Sequence, residues 1–303
     1  MNTDLSRIDT EQRNPATAHI DTLSTLEMAA LINQEDHRCA EAVKAVLPEI
    51  ARSVDLIYDQ LRKGGRLFYC GAGTSGRLGV LDAAECPPTY GVDPGLVIGL
   101  IAGGPDALLR AVEHAEDNTN LGRQDLASHD FSARDVLIGI AASGRTPYVL
   151  GAMDYARALG APVIALTCCH NSVMSGHADV TIAPVPGPEV VTGSSRMKSG
   201  TCQKLVLNLL STCVMIKLGK VYGNLMVDVK ASNEKLFHRA VNIVCTATGE
   251  SEDVARATLE KCDFHCKTAI VMLLLGLEAE KAREALGQCE GRISLVLQRF
   301  GGQ

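Results

Sequence analysis

Three segments of the chain combine glycine, hydroxyl side chains and arginine in a way that suits a phosphate group. The first runs from Gly71 to Arg77, the second from Ala142 to Pro147 and the third from Thr192 to Thr201. Glycine lets the backbone approach a ligand closely, while hydroxyls and the N–H groups at helix starts donate hydrogen bonds to an anion. A single such segment is equally well explained by helix capping. Three segments of matching chemistry favour phosphate binding.

The phosphate is not expected to belong to a dinucleotide. Gly71-x-Gly73-x-x-Gly76 fits the spacing of a dinucleotide fingerprint, but the next predicted strand ends at residues 102–104 without the acid that holds the ribose. The sequence also has no Gly-Lys-Ser/Thr triad of the P-loop kind. The candidate substrate- and phosphate-binding residues are Gly73, Thr74, Ser75, Arg77, Ser143, Gly144, Arg145, Thr146, Ser194, Ser195 and Lys198.

Glu85 is the first candidate for acid–base chemistry. We expect the helix that starts in the first glycine-rich segment to stop at about Cys86, because Pro87 and Pro88 follow. A carboxylate there faces the negative end of the helix dipole, and the dipole together with desolvation would raise its pKa. A raised pKa suits a general acid. A solvated surface acid explains the residue equally well.

A second acidic group, residues 113–117, is predicted to end a helix that begins near Pro105. At helical spacing Glu113 lies three residues from Glu116 and four from Asp117, so the three acids would share one face. Such a face is more often solvated than catalytic. From spacing alone both interpretations stay open.

Five short apolar runs lie between residues 66 and 183, and helical segments separate most of them. Each run is continuously apolar, which is typical of strands that are covered on both faces. This alternation predicts an α/β fold with a doubly wound, mostly parallel five-stranded sheet. In such a sheet ligands bind beyond the carboxyl ends of the strands, where the glycine-rich segments lie. The predicted strands span 66–70, 96–101, 135–140, 162–166 and 179–183.

Helices are predicted on both sides of this region. Ser24 and Glu27 form a capping box at the start of a helical stretch, and a second helix runs from about Ala40 to Arg62. Beyond Gly219 and a connector at 221–233 the pattern is only helical. We therefore expect an N-terminal helical segment (1–64), an α/β domain (65–220) and a small C-terminal helical bundle (221–303).

The composition argues against several classes of function. With 46% hydrophobic and 21% charged residues the chain is a folded globular protein. A net charge of −6 without a long basic tract argues against a nucleic acid or an anionic membrane as partner. Aromatic residues are scarce at 4%, which argues against stacking on single-stranded nucleic acid. The longest apolar runs fall far short of the roughly 20 residues that span a bilayer.

Cysteine is abundant, but its pattern predicts neither a disulfide framework nor a metal site. Eleven cysteines in a long chain with a polar start are typical of reduced thiols in a cytoplasmic protein. Cys262, His265 and Cys266 permit a metal interpretation, yet no second ligand pair of suitable spacing accompanies them. On a helix the two cysteines would share a core-facing side. No metal and no other cofactor is expected.

Several motifs carry a resemblance to a known family. They are Ala72-Gly-Thr-Ser-Gly-Arg-Leu-Gly79, Ala84-Glu-Cys-Pro-Pro-Thr-Tyr-Gly91, Ala141-Ala-Ser-Gly-Arg-Thr-Pro-Tyr148, Val191-Thr-Gly-Ser-Ser-Arg-Met-Lys198, Asn224-Leu-Met-Val-Asp-Val229 and Ser232-Asn-Glu-Lys235. Over nearly its whole length the chain resembles the N-acetylmuramic acid 6-phosphate etherase family. The core resembles a sugar isomerase domain. The tail resembles the ubiquitin-associated-like bundle of this family and of its relative, the glucokinase regulatory protein.

The resemblance implies a cytoplasmic, homodimeric lyase of cell-wall sugar recycling, with its site near the subunit interface. It would convert N-acetylmuramic acid 6-phosphate and water to N-acetylglucosamine 6-phosphate and D-lactate, without a metal. The family's acid–base glutamate falls on Glu85 and its second catalytic glutamate on Glu116. The expected partner is thus a phosphorylated amino sugar, with no nucleic acid and no membrane.

In the ring-opened sugar the aldehyde acidifies the proton on carbon 2, so an elimination can expel lactate from carbon 3. We expect Glu85 to protonate the lactyl oxygen and later activate water, and Glu116 to remove the carbon 2 proton or assist ring opening.

Three alternative functions remain: a regulator that binds the phosphosugar without turnover, an aldose–ketose isomerase, and a gene regulator. A gene regulator would need a basic DNA-reading helix, which residues 1–64 lack. The motif at Glu85-Cys86-Pro87-Pro88 favours the etherase.

Overall fold

The computed structural model describes residues 9–229 and 234–302, and the chain divides into two compact units. The first unit comprises Met1–Ala84 and Gly95–Ser211, and the second unites Glu85–Pro94 with Thr212–Gln303. Residues 1–8 at the polar start of the chain lie outside the described residues, and so do residues 230–233, which end the predicted connector and include Ser232 of the Ser232–Lys235 motif.

Two long helices precede the sheet in the first unit. Helix α1 (Thr25–Lys44) begins with the predicted capping box, in which the Ser24 N–H donates to Glu27 Oε2 (2.8 Å) and the Glu27 N–H donates to Ser24 Oγ (3.4 Å). Helix α2 (Leu47–Arg62) starts later than the predicted Ala40. It has Pro48 in its first turn, where a missing N–H removes no helical hydrogen bond.

The predicted strands form one parallel sheet in the order β2-β1-β3-β4-β5, so the predicted fold class is confirmed. Gly71, at the end of β1, pairs with Ile101 of β2 on one side and with Ile140 of β3 on the other. The chain leaves β1 toward β2 and later returns to the opposite edge of β1, which opens a crevice beyond the carboxyl ends of β1 and β3. The strands are β1 (Leu67–Gly71), β2 (Val97–Ile101), β3 (Val136–Ile140), β4 (Val163–Leu166) and β5 (Val180–Ile182).

Three further helices lie in the crossovers between strands, and a fourth follows the last strand. They are α3 (Gly73–Tyr90), α4 (Thr119–Ser128), α5 (Pro147–Ala158) and α6 (Lys198–Lys217). Close contact between sheet and helix depends on glycine at one position. A Cβ atom on Gly99 of β2 would lie 2.6 Å from the Cα atom of Val80, so only glycine lets α3 lie directly on this strand.

Helix α3 does not stop at Cys86 as the sequence predicted. It continues through Pro87 and Pro88 to Tyr90, and the Gly91 N–H still donates to the Pro87 carbonyl (2.9 Å). The two prolines remove two helical N–H donors, but the last turn forms around them. Glu85 therefore lies more than a turn before the helix end, and the helix-end argument for its acid strength does not apply.

The acidic group at 113–117 is not helical either. After a short 3-10 turn (Pro105–Leu108) the chain follows irregular turns, and His114 has a left-handed φ of 62° that no helix accommodates. The helix of this crossover begins only at Thr119, where the Asn118 side chain accepts hydrogen bonds from two backbone N–H groups. Glu113, Glu116 and Asp117 therefore lie on a loop and not on one helical face.

The second unit contains the predicted helical bundle and a short hairpin, β6 (Val221–Tyr222) with β7 (Leu225–Met226). Cys262 and Cys266 do not share a helix, because Asp263 and Phe264 adopt left-handed φ values of 55° and 57° and break it. Both cysteines are nevertheless buried in the core of the bundle. Its helices are α7 (Glu234–Thr248), α8 (Glu252–Glu260), α9 (Cys266–Leu275), α10 (Ala279–Gln288) and α11 (Ile293–Phe300).

The described residues hold neither a membrane-spanning helix nor a cluster of metal-ligating side chains. No helix within 9–229 or 234–302 is both long and apolar enough to cross a membrane. Over the same ranges, no group of three or more His, Cys, Asp or Glu side chains is arranged to hold a metal ion.

Candidate active site

The predicted phosphate segments after β1 and β3 start side by side. Gly71 and Ile140 are paired in the sheet, so residues 72–77 and 141–147 leave adjacent strand ends. Helix α3 begins at Gly73 and helix α5 at Pro147, so both segments lead into helix N-termini. Backbone N–H groups and the helix dipole favour an anion at such positions.

The third predicted segment joins them through the first turns of α6. Ser75 Oγ donates a buried hydrogen bond to Gln203 Oε1 (2.9 Å), and a Cβ atom on Gly200 would lie 3.3 Å from Thr74 Cγ2. The first turns of α6, into which the third segment leads, therefore lie against the β1 segment. The structure brings all three predicted segments to one end of the sheet.

The turn after β3 requires glycine. Gly144 has a φ of 65°, and a Cβ atom there would lie 2.2 Å from Ser172 Cβ and 2.6 Å from Thr167 Oγ1. The turn carries Ser143 and Thr146, which are both half-buried. Between them, the Nη1 atom of Arg145 is buried, and no described residue accepts a hydrogen bond from it.

The N-terminus of α6 is capped from within the chain by Glu189. This buried carboxylate accepts hydrogen bonds from the N–H groups of Lys198 and Ser199 (2.9 Å each) and from Ser199 Oγ (2.8 Å). It occupies the position at the helix start that an anionic ligand would otherwise use. The residues of this segment that precede the helix, Ser194 and Ser195, are half-buried.

Lys198, predicted to contact phosphate, is fully buried and forms an ion pair with Glu35 Oε2 of α1 (2.5 Å). Its ammonium also donates to the Pro186 carbonyl (3.3 Å). Burial acts to raise the pKa of Glu35, but the hydrogen bond and charge of Lys198 outweigh burial and lower it. Lys198 therefore fastens α6 to α1, and its charge is neutralised within the protein rather than presented to the crevice.

A cavity of about 410 Å³ lies beside the β1 segment. Gly73 and Arg77 line one side, and residues of the loop between β2 and α4 line the other. Arg77 Nε donates to the Leu108 carbonyl of that loop (3.2 Å). The charged residues that line the cavity are Arg77, Arg110, Glu113, Glu116 and Asp117, with His114 beside them.

Glu116 is linked to the β3 segment as well. Its carbonyl accepts a hydrogen bond from the Tyr148 N–H at the start of α5 (3.0 Å), while its side chain is exposed in the single chain. Glu116 thus lies between the two neighbouring phosphate segments. Glu85 belongs to the second unit, and its side chain is exposed on α3.

Comparisons with known proteins cover almost the whole chain. Residues 49–157 match the family profile of the glucokinase regulatory protein N-terminal SIS domain, and residues 119–213 match that of the SIS domain. Residues 223–270 match the C-terminal lid domain of glucokinase regulatory protein. The N-acetylmuramic acid 6-phosphate etherase of Aliivibrio fischeri is 60% identical over 297 residues, which is 98% of this chain and 99% of that protein.

This chain belongs to the N-acetylmuramic acid 6-phosphate etherase family. The resemblance stated from the motifs is therefore confirmed. The etherase of Photorhabdus laumondii is 58% identical over 293 residues, 97% of each chain. A phosphoheptose isomerase from Francisella tularensis is only 19% identical (TM-score 0.51, covering 64% of this chain and 100% of that one), so it shows the fold alone.

Sequence reasoning missed three buried residues that organise this etherase-family site. Glu189 caps α6, Glu35 neutralises Lys198, and Gln203 binds Ser75. The partners Glu35 and Lys198 are 163 residues apart, so no local spacing joins them. The signal that could have found this pair was Lys198 itself. It lies in a helix that is expected to be buried, and a buried lysine needs a carboxylate partner.

Proposed function

We propose that this chain cleaves the lactyl ether of N-acetylmuramic acid 6-phosphate, giving N-acetylglucosamine 6-phosphate and D-lactate. The observation that carries the proposal is the 60% identity to a protein of that name across 98% of the chain. The crevice supports it, because the glycine-rich segment that starts α3 lines a cavity that also holds carboxylates, and the β3 segment leaves the neighbouring strand end. A sugar phosphate with a reactive ether needs both features.

The proposed reaction is an elimination followed by an addition of water. A base removes the proton on carbon 2 of the open-chain sugar, the carbon 3–oxygen bond breaks, and an acid protonates the departing lactate oxygen. Water then adds to the unsaturated aldehyde, with its hydroxyl to carbon 3 and a proton to carbon 2. The scheme needs no oxidant, no nucleotide and no metal.

We assign the removal of the carbon 2 proton to Glu116. It lines the cavity together with Gly73 of the phosphate-binding end of α3. We assign protonation of the lactate oxygen and later activation of water to Glu85. The carboxyl group gives its proton to the departing lactate oxygen, and the resulting carboxylate then accepts a proton from the attacking water, so one residue can serve both steps.

We assign the 6-phosphate to the hydroxyl-bearing segments. Thr74, Ser143, Thr146, Ser194 and Ser195 supply hydroxyls around the N-termini of α3 and α5. The α6 N-terminus is excluded from this role because Glu189 already occupies it. Lys198 is assigned a supporting role, since Glu35 neutralises its charge.

We propose a cytoplasmic homodimer in which the partner copy supplies Glu85. Glu85 is not among the residues that line the cavity with Gly73 and Glu116, and its side chain is exposed in the single chain. An exposed acid of this kind is available to the site of a second copy. The free cysteines are consistent with a reducing compartment.

The test is release of D-lactate from N-acetylmuramic acid 6-phosphate by the purified chain, with a chelator present and no nucleotide. We expect turnover that falls by about 100-fold or more in Glu85→Gln and in Glu116→Gln. Asp106→Asn is the matched control, because this exposed acid lies on the same loop but does not line the cavity. Binding of the phosphosugar without lactate release would favour a regulator, and a rearranged sugar without lactate would favour an isomerase.

A further inference from the structure

Glu116 lies on an irregular loop, so its position depends on what holds the loop. The described contact that fixes its backbone comes from α5, where the Tyr148 N–H donates to the Glu116 carbonyl (3.0 Å). Two residues later Asn118 caps α4. The carboxylate is therefore placed by the junction of α4 and α5.

Tyr148 ties that junction together through its side chain. The ring is completely buried, and its hydroxyl donates to Asp125 Oδ2 of α4 (2.6 Å). Burial, followed by the nearby Cys70 and Asp125, raises the pKa of Tyr148, so the hydroxyl remains a donor throughout the range in which enzymes are assayed. One residue thus links α5 to the Glu116 backbone and, separately, to α4.

Two glycines let α4 and α5 come close enough for this arrangement. A Cβ atom on Gly122 would lie 2.1 Å from the Tyr148 carbonyl oxygen, and one on Gly151 would lie 1.9 Å from the Thr119 carbonyl oxygen. Any side chain at either position would push the helices apart. The backbone on both sides of Tyr148 is therefore held rigidly against α4.

From this geometry we infer that Tyr148 and Asp125 are positioning residues for Glu116. The hydrogen bond between them fixes α5 against α4, and the Tyr148 N–H then holds the Glu116 backbone at the cavity. The inference rests on the proposed catalytic role of Glu116. Neither side chain touches the substrate in this scheme.

The first measurement compares Tyr148→Phe with Tyr69→Phe. Tyr69 is an equally buried tyrosine whose hydroxyl donates to Asp82 Oδ2 (2.8 Å), so each variant loses one hydrogen bond from a buried tyrosine to an aspartate. We expect Tyr148→Phe to lower kcat about tenfold or more with KM changed less than about threefold, because small misplacements of a reacting group are costly. Tyr69→Phe should unfold at a similarly reduced temperature but keep a higher kcat. Equal kcat losses in the two variants would overturn the inference.

The second measurement combines Tyr148→Phe with Glu116→Gln. If Tyr148 acts through Glu116, the substitution should lower kcat much less in the Glu116→Gln background than in the wild type. Tyr69→Phe should have the same effect in both backgrounds. Additive losses for Tyr148→Phe would sink the inference while leaving the proposed function intact. Full activity of Glu116→Gln alone would instead refute the catalytic role on which the inference rests.

A pH profile keeps the inference testable if Glu116→Gln has no measurable residual rate. If Tyr148→Phe displaces the Glu116 carboxylate, the low-pH limb of the plot of kcat against pH should shift in this variant. The limb should stay in place in Tyr69→Phe. Unchanged limbs in both variants would show that the Tyr148–Asp125 bond is only structural.

Discussion

Arg77 is a cation in a cavity that also holds three carboxylates. Its guanidinium is oriented by the bond from Nε to the Leu108 carbonyl. The substrate brings two anionic groups, a phosphate and the lactyl carboxylate, and the hydroxyl-bearing segments already suit the phosphate. The lactyl carboxylate of the substrate would lie next to the Glu116 carboxylate and therefore needs a positively charged partner. Arg77 suits this group best.

We therefore predict that Arg77→Gln weakens binding of the substrate more than binding of the product. KM for N-acetylmuramic acid 6-phosphate should rise about 10- to 100-fold, as for loss of a charge-assisted hydrogen bond. The inhibition constant of N-acetylglucosamine 6-phosphate, which lacks the carboxylate, should change little. Arg157→Gln is the control, because Arg157 is an exposed arginine that also donates to a backbone carbonyl, that of Gly176 (3.0 Å), but does not line the cavity. Equal weakening of substrate and product would assign Arg77 to the phosphate.

Asp82 is a buried carboxyl on α3 that accepts hydrogen bonds from Tyr69 and Ser211. Burial raises its pKa above the ordinary value of 3.8 despite those bonds. The folded state then holds the proton more tightly than the unfolded state, so this contribution to stability is full below pH 3.8 and is lost as pH rises through the folded pKa.

The expected consequence is that Asp82→Asn flattens the dependence of Tm on pH. Relative to wild type, the variant should gain stability as pH rises from about 4 to 7, because an amide has no proton to lose. Calorimetry across this range measures the difference. Parallel Tm curves for variant and wild type would show that Asp82 does not titrate there.

At the scale of the elements, the start of α6 is held in position by a network of buried polar side chains from outside the helix. Glu189 caps its first turn, Lys198 pairs with Glu35, and Asn14 donates to both Glu35 (2.8 Å) and the Pro188 carbonyl (3.3 Å). These bonds join α1, the segment before α6 and α6 itself. They hold the first turn of α6, which directly follows residues 194–197, against α1.

Breaking one side of the buried pair should be costly. Lys198→Met or Glu35→Leu alone should lower the free energy of unfolding by about 3–5 kcal/mol, since the remaining charge is buried without its partner. The double variant should be more stable than either single variant, because no lone charge remains. Urea unfolding of the three proteins tests this, and strictly additive losses would contradict it.

The elements that the sequence predicted well are those whose signal is local. Val136–Ile140 reads as a covered strand from its own residues, and Ser24 with Glu27 marks a helix start within four positions. The predicted end of the helix after β1 was too early. The prediction assumed that Pro87 and Pro88 end the helix, but the Gly91 N–H still donates to the Pro87 carbonyl and completes the last turn. The sequence around His114 does not indicate a left-handed backbone, so the spacing of the acids predicted a helix where Glu116 lies on a loop.

At the scale of the whole molecule, the candidate site could be predicted from the sequence only in part. The three segments rich in glycine and hydroxyls could be identified because each has its own composition. The pairing of β1 with β3 brings the first two together, and the first turns of α6 bring the third to the β1 segment. The cap from Glu189 and the charge partner Glu35 depend on contacts between distant parts of the chain. The proposed supply of Glu85 by a second copy depends on assembly, which no single-chain pattern records.

A heterodimer of two inactive variants tests that assembly. One copy carries Glu85→Gln and the other Glu116→Gln, and two different affinity tags isolate the mixed dimer. If each site combines glutamates from both copies, one of the two sites is intact, and about half of the wild-type activity should return. Activity no higher than that of the parent variants would place both glutamates of a site on the same copy.

The second unit is discontinuous, and this affects how the protein is made and dissected. Gly91 lies so close to the Asp228 carbonyl that a Cβ atom would be 2.3 Å from it, and the Tyr90 hydroxyl donates to Thr212 (3.4 Å). On the ribosome, residues 85–94 emerge long before the residues they pack against, so this unit cannot close until synthesis is nearly complete. A fragment that begins at Thr212 would also lack part of its own packing, so a designed fragment of the second unit should carry residues 85–94 as a linked peptide.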